Sequence, residues 1–136
     1  MPVYRCLVPE GALSYDQRER IAVAFTDVHC NNSAAPRNFV QVLFIPTDGS
    51  GRVRDTHGQG VLRYDTPYYV AGGNRAGRTP EVKDRIREGL IERLTEIAVV
   101  PRSEVSAHIS EAPASWTMEA GKILPDPGEE PDEWYG

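Results

Sequence analysis

Twice along this chain a strand-length apolar run, a helix-length amphipathic run and a second strand-length run follow one another, and this recurrence limits the fold more than any other feature. The first unit opens with VYRCLV, whose alternation and β-forming residues predict a strand from Val3 to Val8, ended by Pro9-Glu10-Gly11. Ser14-Tyr15-Asp16-Gln17 then has the form of a capping box, and Ile21, Phe25, Val28 and His29 recur at helical spacing. These residues predict a helix from Ser14 to Cys30, stopped by Asn31-Asn32-Ser33 and Pro36. FVQVLFIP, from Phe39 to Pro46, is apolar on both faces and too short for a helix, so it reads as a central strand.

The Gly-rich, charged stretch TDGSGRVRDTHGQG separates the units and reads as an exposed loop or irregular hairpin. Pro67 then enters a strand that runs to Gly72, and Thr79-Pro80-Glu81 places a cap and a first-turn proline at a second helix start. Val82, Ile86, Leu90, Leu94 and Ile97 make one apolar stripe along that helix, to about Val99. From Glu104 to Ser110 the chain alternates, with Val105, Ala107 and Ile109 on one face and Ser106, His108 and Ser110 on the other. The units share a phrase: Pro36-Arg37 precedes Val40 as Pro101-Arg102 precedes Val105.

A tandem β-α-β repeat predicts an α/β domain with one mostly parallel sheet and both helices on one face. At 136 residues the chain is expected to be a single domain, with repeat halves at about 2–46 and 66–111 and a tail at about 120–136. Strands apolar on both sides call for a cover on the second sheet face, and in so short a chain another subunit is the natural one. The acidic, Pro-rich tail carries Trp134 and Tyr135, and it is expected to lie over a neighbour or a site mouth.

The formal net charge of -5 argues against a nucleic-acid backbone as partner. No run approaches membrane length, and the start is too short and polar for a signal peptide, so a cytoplasmic location is expected. Cys6 and Cys30 lack metal-ligand spacing and read as buried thiols, and neither a metal nor an organic cofactor is expected.

Among the polar residues, Arg75 and Arg78 sit in GGNRAGRTPE, on a Gly-rich turn that opens the second helix. Two guanidiniums and free helix amides would suit a carboxylate there, although two solvated surface arginines give the same pattern. His29 reads as a satisfied histidine or a partner of the helix dipole, and His108 belongs to a polar strand face that lines either a cleft or an interface. Glu119, in EAPASWTMEAG, reads as a catalytic carboxylate or as a surface group on a short helix. His57, in the loop, has no evident partner. Pro2 follows the initiator Met1, whose removal would leave a secondary amine at the terminus.

Taken together, PVY after Met1, AVAFTDVH, FVQVLF, NRAGRT, SEAPASWTMEAG and LPDPGEE resemble the tautomerase superfamily, and within it the cis-3-chloroacrylic acid dehalogenase group. The resemblance implies a tautomerase-like fold assembled as a homotrimer, with a small carboxylate as substrate. It places the catalytic amine at Pro2, substrate binding at His29, Arg75 and Arg78, and the water-activating carboxylate at Glu119. His108 stands where the dehalogenase has an assisting tyrosine. A terminal amine has a reference pKa of about 7.7 to 8.0, so its surroundings decide whether it accepts or donates a proton near neutrality. Neutral, it would tautomerise enol and 2-keto acids; cationic, it would protonate an acrylate while Glu119 directs water. The departure at His108 favours tautomerisation, with hydration or dehalogenation secondary. A dehalogenase or hydratase, and a non-catalytic anion-binding oligomer of the same fold, are the alternatives.

Overall fold

Two β-α-β runs build the architecture. A computed structural model describes residues 2–48, 52–54, 60–63 and 66–135. The first run comprises β1 (Val3–Pro9), α1 (Tyr15–Ser33) and β2 (Gln41–Thr47). After a short antiparallel pair, β3 (Arg52–Arg54) and β4 (Gly60–Arg63), the second comprises β5 (Tyr68–Arg75), α2 (Pro80–Ala98) and β6 (Val105–Ala112). A small hairpin, β7 (Met118–Glu119) and β8 (Lys122–Ile123), leads into the tail.

The main sheet has the order β2-β1-β5-β6. β1 runs parallel to β2 and β5 parallel to β6, while the central pair, β1 and β5, is antiparallel. Two of three pairings are thus parallel, as a tandem repeat requires. β2 is an edge strand rather than the central one its two apolar faces suggest: Val42 and Phe44 are partly covered by core, whereas Leu43 and Ile45 on the other face are 45% and 39% exposed.

Both helices pack against each other and against one sheet face. Ile21, Ala24 and Phe25 of α1 meet Ile86, Leu90, Leu94 and Ile97 of α2 over Tyr4, Cys6, Val8 and Val70. Local chemistry sets the helix starts as expected. Ser14 and Gln17 form the reciprocal capping box, and the Thr79 hydroxyl accepts from the Val82 N–H with Pro80 beside it. α1 runs beyond Cys30 to Ser33, because Asn32 and Ser33 return their side chains to the Val28 and His29 carbonyls instead of breaking the turn. Ala34, in the left-handed region, then ends it, as Val99 ends α2.

The tail folds back over its own chain. Trp134 packs on Phe39 with ring centres 5.1 Å apart, and the Tyr135 hydroxyl donates to the Ala34 carbonyl at 3.1 Å. Cys6 is buried, but Cys30 is only half-buried, because it lies past the last core position of α1. Among the described residues no helix is long and apolar enough to cross a membrane.

Candidate active site

Alternation along β1 turns the Tyr4 ring to the helix side, where it meets Phe25 and His29 edge-on at 6.0 and 5.8 Å between ring centres. Such an approach needs a missing side chain on the neighbouring strand. A Cβ on Gly72 would stand 2.8 Å from Tyr4 Cε1, so only glycine leaves room. The phenol oxygen then lies 2.6 Å from His29 Nδ1. Burial raises the Tyr4 pKa against the opposing pull of the Asn74 side chain and Arg78, so the phenol keeps its proton.

His29 is fully buried. Burial first, then the charges of Arg78, Arg75 and the amino terminus, push its pKa down to about 3. The ring is therefore neutral near pH 7 and is no cationic partner for the helix dipole. With the phenol donating to Nδ1, the proton of His29 sits on Nε2, a buried atom with no hydrogen-bond partner.

Pro2 heads the same strand and is also buried. Its carbonyl accepts from the Gln41 N–H at 3.0 Å, which ties the head of β1 to β2. Val3 pairs with Gly73, so one further step along the antiparallel ladder brings Pro2 level with Asn74. Asn74 is 5% exposed, and neither its Nδ2 nor its Oδ1 completes a hydrogen bond.

Arg75 is the last residue of β5, not part of a turn, because the strand continues through Gly72 and Gly73. It is 2% exposed, stacks over Phe39 with its guanidinium carbon 5.5 Å from the ring centre, donates from Nη1 to the Pro125 carbonyl at 2.7 Å, and pairs through Nη2 with Glu130. The surface reading of Arg75 is thereby overturned. Arg78 donates from Nη1 to the Arg75 carbonyl at 2.9 Å, while burial and Arg75 lower its pKa. The Nε groups of both arginines are buried and unengaged. Glu130 balances the charge of Arg75 at contact, and among the described residues Arg78 has no carboxylate at that range.

Glu119 lies on β7, in a hairpin turned by Ala120 and Gly121 at positive φ, so it is strand and not helix; the short helix of this stretch is a single 3-10 turn, Ala114–Trp116, that ends before it. Its Oε2 is buried without a partner, and the hairpin runs directly into Pro125, which holds Arg75. His108 stands apart. It is level with Ala71 on β6, on the sheet face away from the helices, and is exposed, so within one chain the fold does not bring it to Pro2 and His29. His57 lies outside the described residues. Among those described, no group of three His, Cys, Asp or Glu side chains could hold a metal ion.

Three members of this cluster, Tyr4, Asn74 and Glu130, stand inside the stretches PVY, NRAGRT and LPDPGEE, but nothing in those stretches gives them a role in the site. Alternation in VYRC puts Tyr4 inward, which is a signal for Tyr4 alone; Asn74 and Glu130 depend on strand length and on a tail contact that no local pattern encodes.

The sequence matches, over residues 1–136, the family described as "Putative oxalocrotonate tautomerase enzyme". No curated protein matches it. Among solved structures it is similar to N1, a member of the cis-3-chloroacrylic acid dehalogenase family, with 28% identity, 97% of this chain and 89% of that one covered, and a TM-score of 0.79. It is also similar to FG41 malonate semialdehyde decarboxylase inhibited by 3-bromopropiolate, with 27% identity, coverage of 89% and 92%, and a TM-score of 0.66. An asymmetric trimer of fused 4-OT shares the fold at 16% identity, with coverage of 89% and 94% and a TM-score of 0.74. With a match that spans its whole length and a fold to go with it, the chain belongs to this family of the tautomerase superfamily.

Proposed function

We propose that this protein is a tautomerase of small enol and 2-keto acids, and that Pro2, freed by removal of Met1, is its acid–base group. The observation that carries the reading is the position of Pro2: buried at the head of β1, level with Asn74, in a region where burial and the charges of Arg78 and Arg75 already hold His29 neutral. The same desolvation and the same positive field disfavour an ammonium at Pro2, so its nitrogen works as a base near neutral pH. The Nε–H groups of Arg78 and Arg75 hold the substrate carboxylate. The Pro2 nitrogen then takes the enol O–H proton as the C2 carbonyl forms, and returns a proton to C3, so no atom is gained or lost. Glu130 and the tail close over Arg75 and keep water from the charged end.

Intact-mass measurement, combined with phenylenolpyruvate kinetics for wild type and Pro2→Ala, tests this reading. Retention of Met1 on active protein, or equal rates for the two proteins, would sink it. A second reading, dehalogenation or hydration of cis-3-haloacrylates, is favoured by the enclosed, unpartnered Glu119 Oε2 and the likeness to N1. Halide release from cis-3-chloroacrylate that exceeds the tautomerase rate would promote it. Activity in neither assay would leave an anion-binding oligomer. The homotrimer belongs to the proposal as well: the sheet face carrying Leu43 and Ile45 is the subunit interface, and Leu43→Glu should yield monomers by light scattering.

A further inference from the structure

The Asn74 amide is inside the protein, at the head of the strand pair that presents Pro2; it lies near enough to the Tyr4 phenol to pull on its proton, yet neither of its polar atoms completes a hydrogen bond. Leaving a buried amide without partners costs about 1–3 kcal/mol, so a native site that keeps one calls for an external partner. Two neighbours define what that partner is. The buried, unengaged Nε groups of Arg75 and Arg78 are charged donors suited to a carboxylate. Asn74 and the Nε2 of His29 are neutral, and they suit an uncharged oxygen.

We infer that Asn74 is a substrate-binding residue that recognises the oxygen on C2 of the acid, next to the carboxylate held by the arginines. This rests on the tautomerase reading and deepens it. An amide fits both sides of that reaction: Nδ2–H donates to the keto oxygen and equally to a lone pair of the enol oxygen, whose own O–H is left to face Pro2. The register that brings Asn74 level with Pro2 places this recognition beside the group that moves the proton. Asn74 thereby makes the site select 2-oxo and enol acids over acids that lack the oxygen.

The test is binding, which needs no turnover. 2-Oxobutanoate and butanoate differ only in that oxygen, and NMR titration measures their Kd for wild type, Asn74→Leu and Asn74→Ala, each checked for a folded spectrum and a cooperative melt. Wild type should bind the 2-oxo acid about tenfold more tightly, the worth of one buried hydrogen bond, and both variants should bring the ratio below about twofold with butanoate unchanged. A ratio near one in wild type, a ratio kept in the variants, or a parallel loss of both acids would overturn the assignment. Pro2→Ala protein should show the wild-type ratio. If Pro2→Ala keeps full tautomerase activity while the Asn74 variants lose discrimination, the base is misassigned and the recognition stands.

Discussion

Glu130→Gln is the substitution whose effect the structure bounds most closely. The side chains of Arg75 and Glu130 are each 1% exposed, so the pair is out of water on both sides. Glutamine keeps the shape and one acceptor, but it leaves the Arg75 charge buried without a counter-charge. Breaking a buried pair in this way costs about 3–5 kcal/mol. Unfolding entropy of about 2.1 cal/mol/K per residue over 136 residues turns a loss of ~3 kcal/mol into a fall of ~10 °C in Tm. There is an upper bound, because the tail can release instead: if docking of residues 124–135 is worth less than the pair, Arg75 meets water by local opening and the global loss stops there. Urea unfolding gives the global figure, and hydrogen exchange across the tail gives the local one. The pH dependence provides a further check. Burial raises the Glu130 pKa, but the hydrogen bond and charge of Arg75 and the Gly128 N–H outweigh it, and the net shift is downward. A carboxyl depressed on folding adds stability above its unfolded pKa of about 4.3, and that share is lost as pH falls through the folded value. Wild type should therefore lose stability in acid that Glu130→Gln never had. A variant within about 0.5 kcal/mol of wild type, with an unchanged tail and an unchanged acid profile, would refute the argument.

Gly72→Ala drives a methyl into the Tyr4 ring and should destabilise by about 1–3 kcal/mol in urea while weakening the tilt of Tyr4 toward His29. Arg78→Ala should raise KM for acidic substrates without a large change in stability, whereas Arg75→Ala should also unfold at lower temperature because it strands Glu130; equal behaviour of the two variants would contradict the division of charge. His29, with its pKa pushed down to about 3, should show no imidazole titration by NMR between about pH 5 and 8; since the unfolded ring protonates near 6.5, its contribution to stability is full above that pH and declines as pH falls toward the folded value.

Much of the frame is legible because it is written locally. Ser14 with Gln17 and Thr79 with Pro80 announce helix starts through groups that bond within one turn. The alternation after Glu104 separates Ile109 from His108 correctly, and the outward face of His108 follows from it. What escapes the sequence depends on partners far along the chain. Gly72-Gly73 has the composition of a turn, yet it is strand because the Tyr4 ring occupies the space above Gly72, a contact across 68 residues. Arg75 has the look of a loop arginine until Glu130, 55 residues on, takes its charge. The edge position of β2 depends on which strands pair, which no period encodes.

The sheet order has a chemical consequence. α1 and α2 are both 19 residues long and begin 65 residues apart, at Tyr15 and Pro80, and their left-handed caps, Ala34 and Val99, keep the same spacing. With β1 antiparallel to β5, the two runs are related by a rotation that sets one sheet end against the other. Carried through that spacing, Pro2 corresponds to Pro67 and His29 to Leu94. The nitrogen of Pro67 is an amide within the chain and has no basic lone pair, and Leu94 is core. The protein therefore builds the same scaffold end twice; once Met1 is removed, as the proposed chemistry requires, only the first can hold a basic nitrogen, and the second is spent on packing.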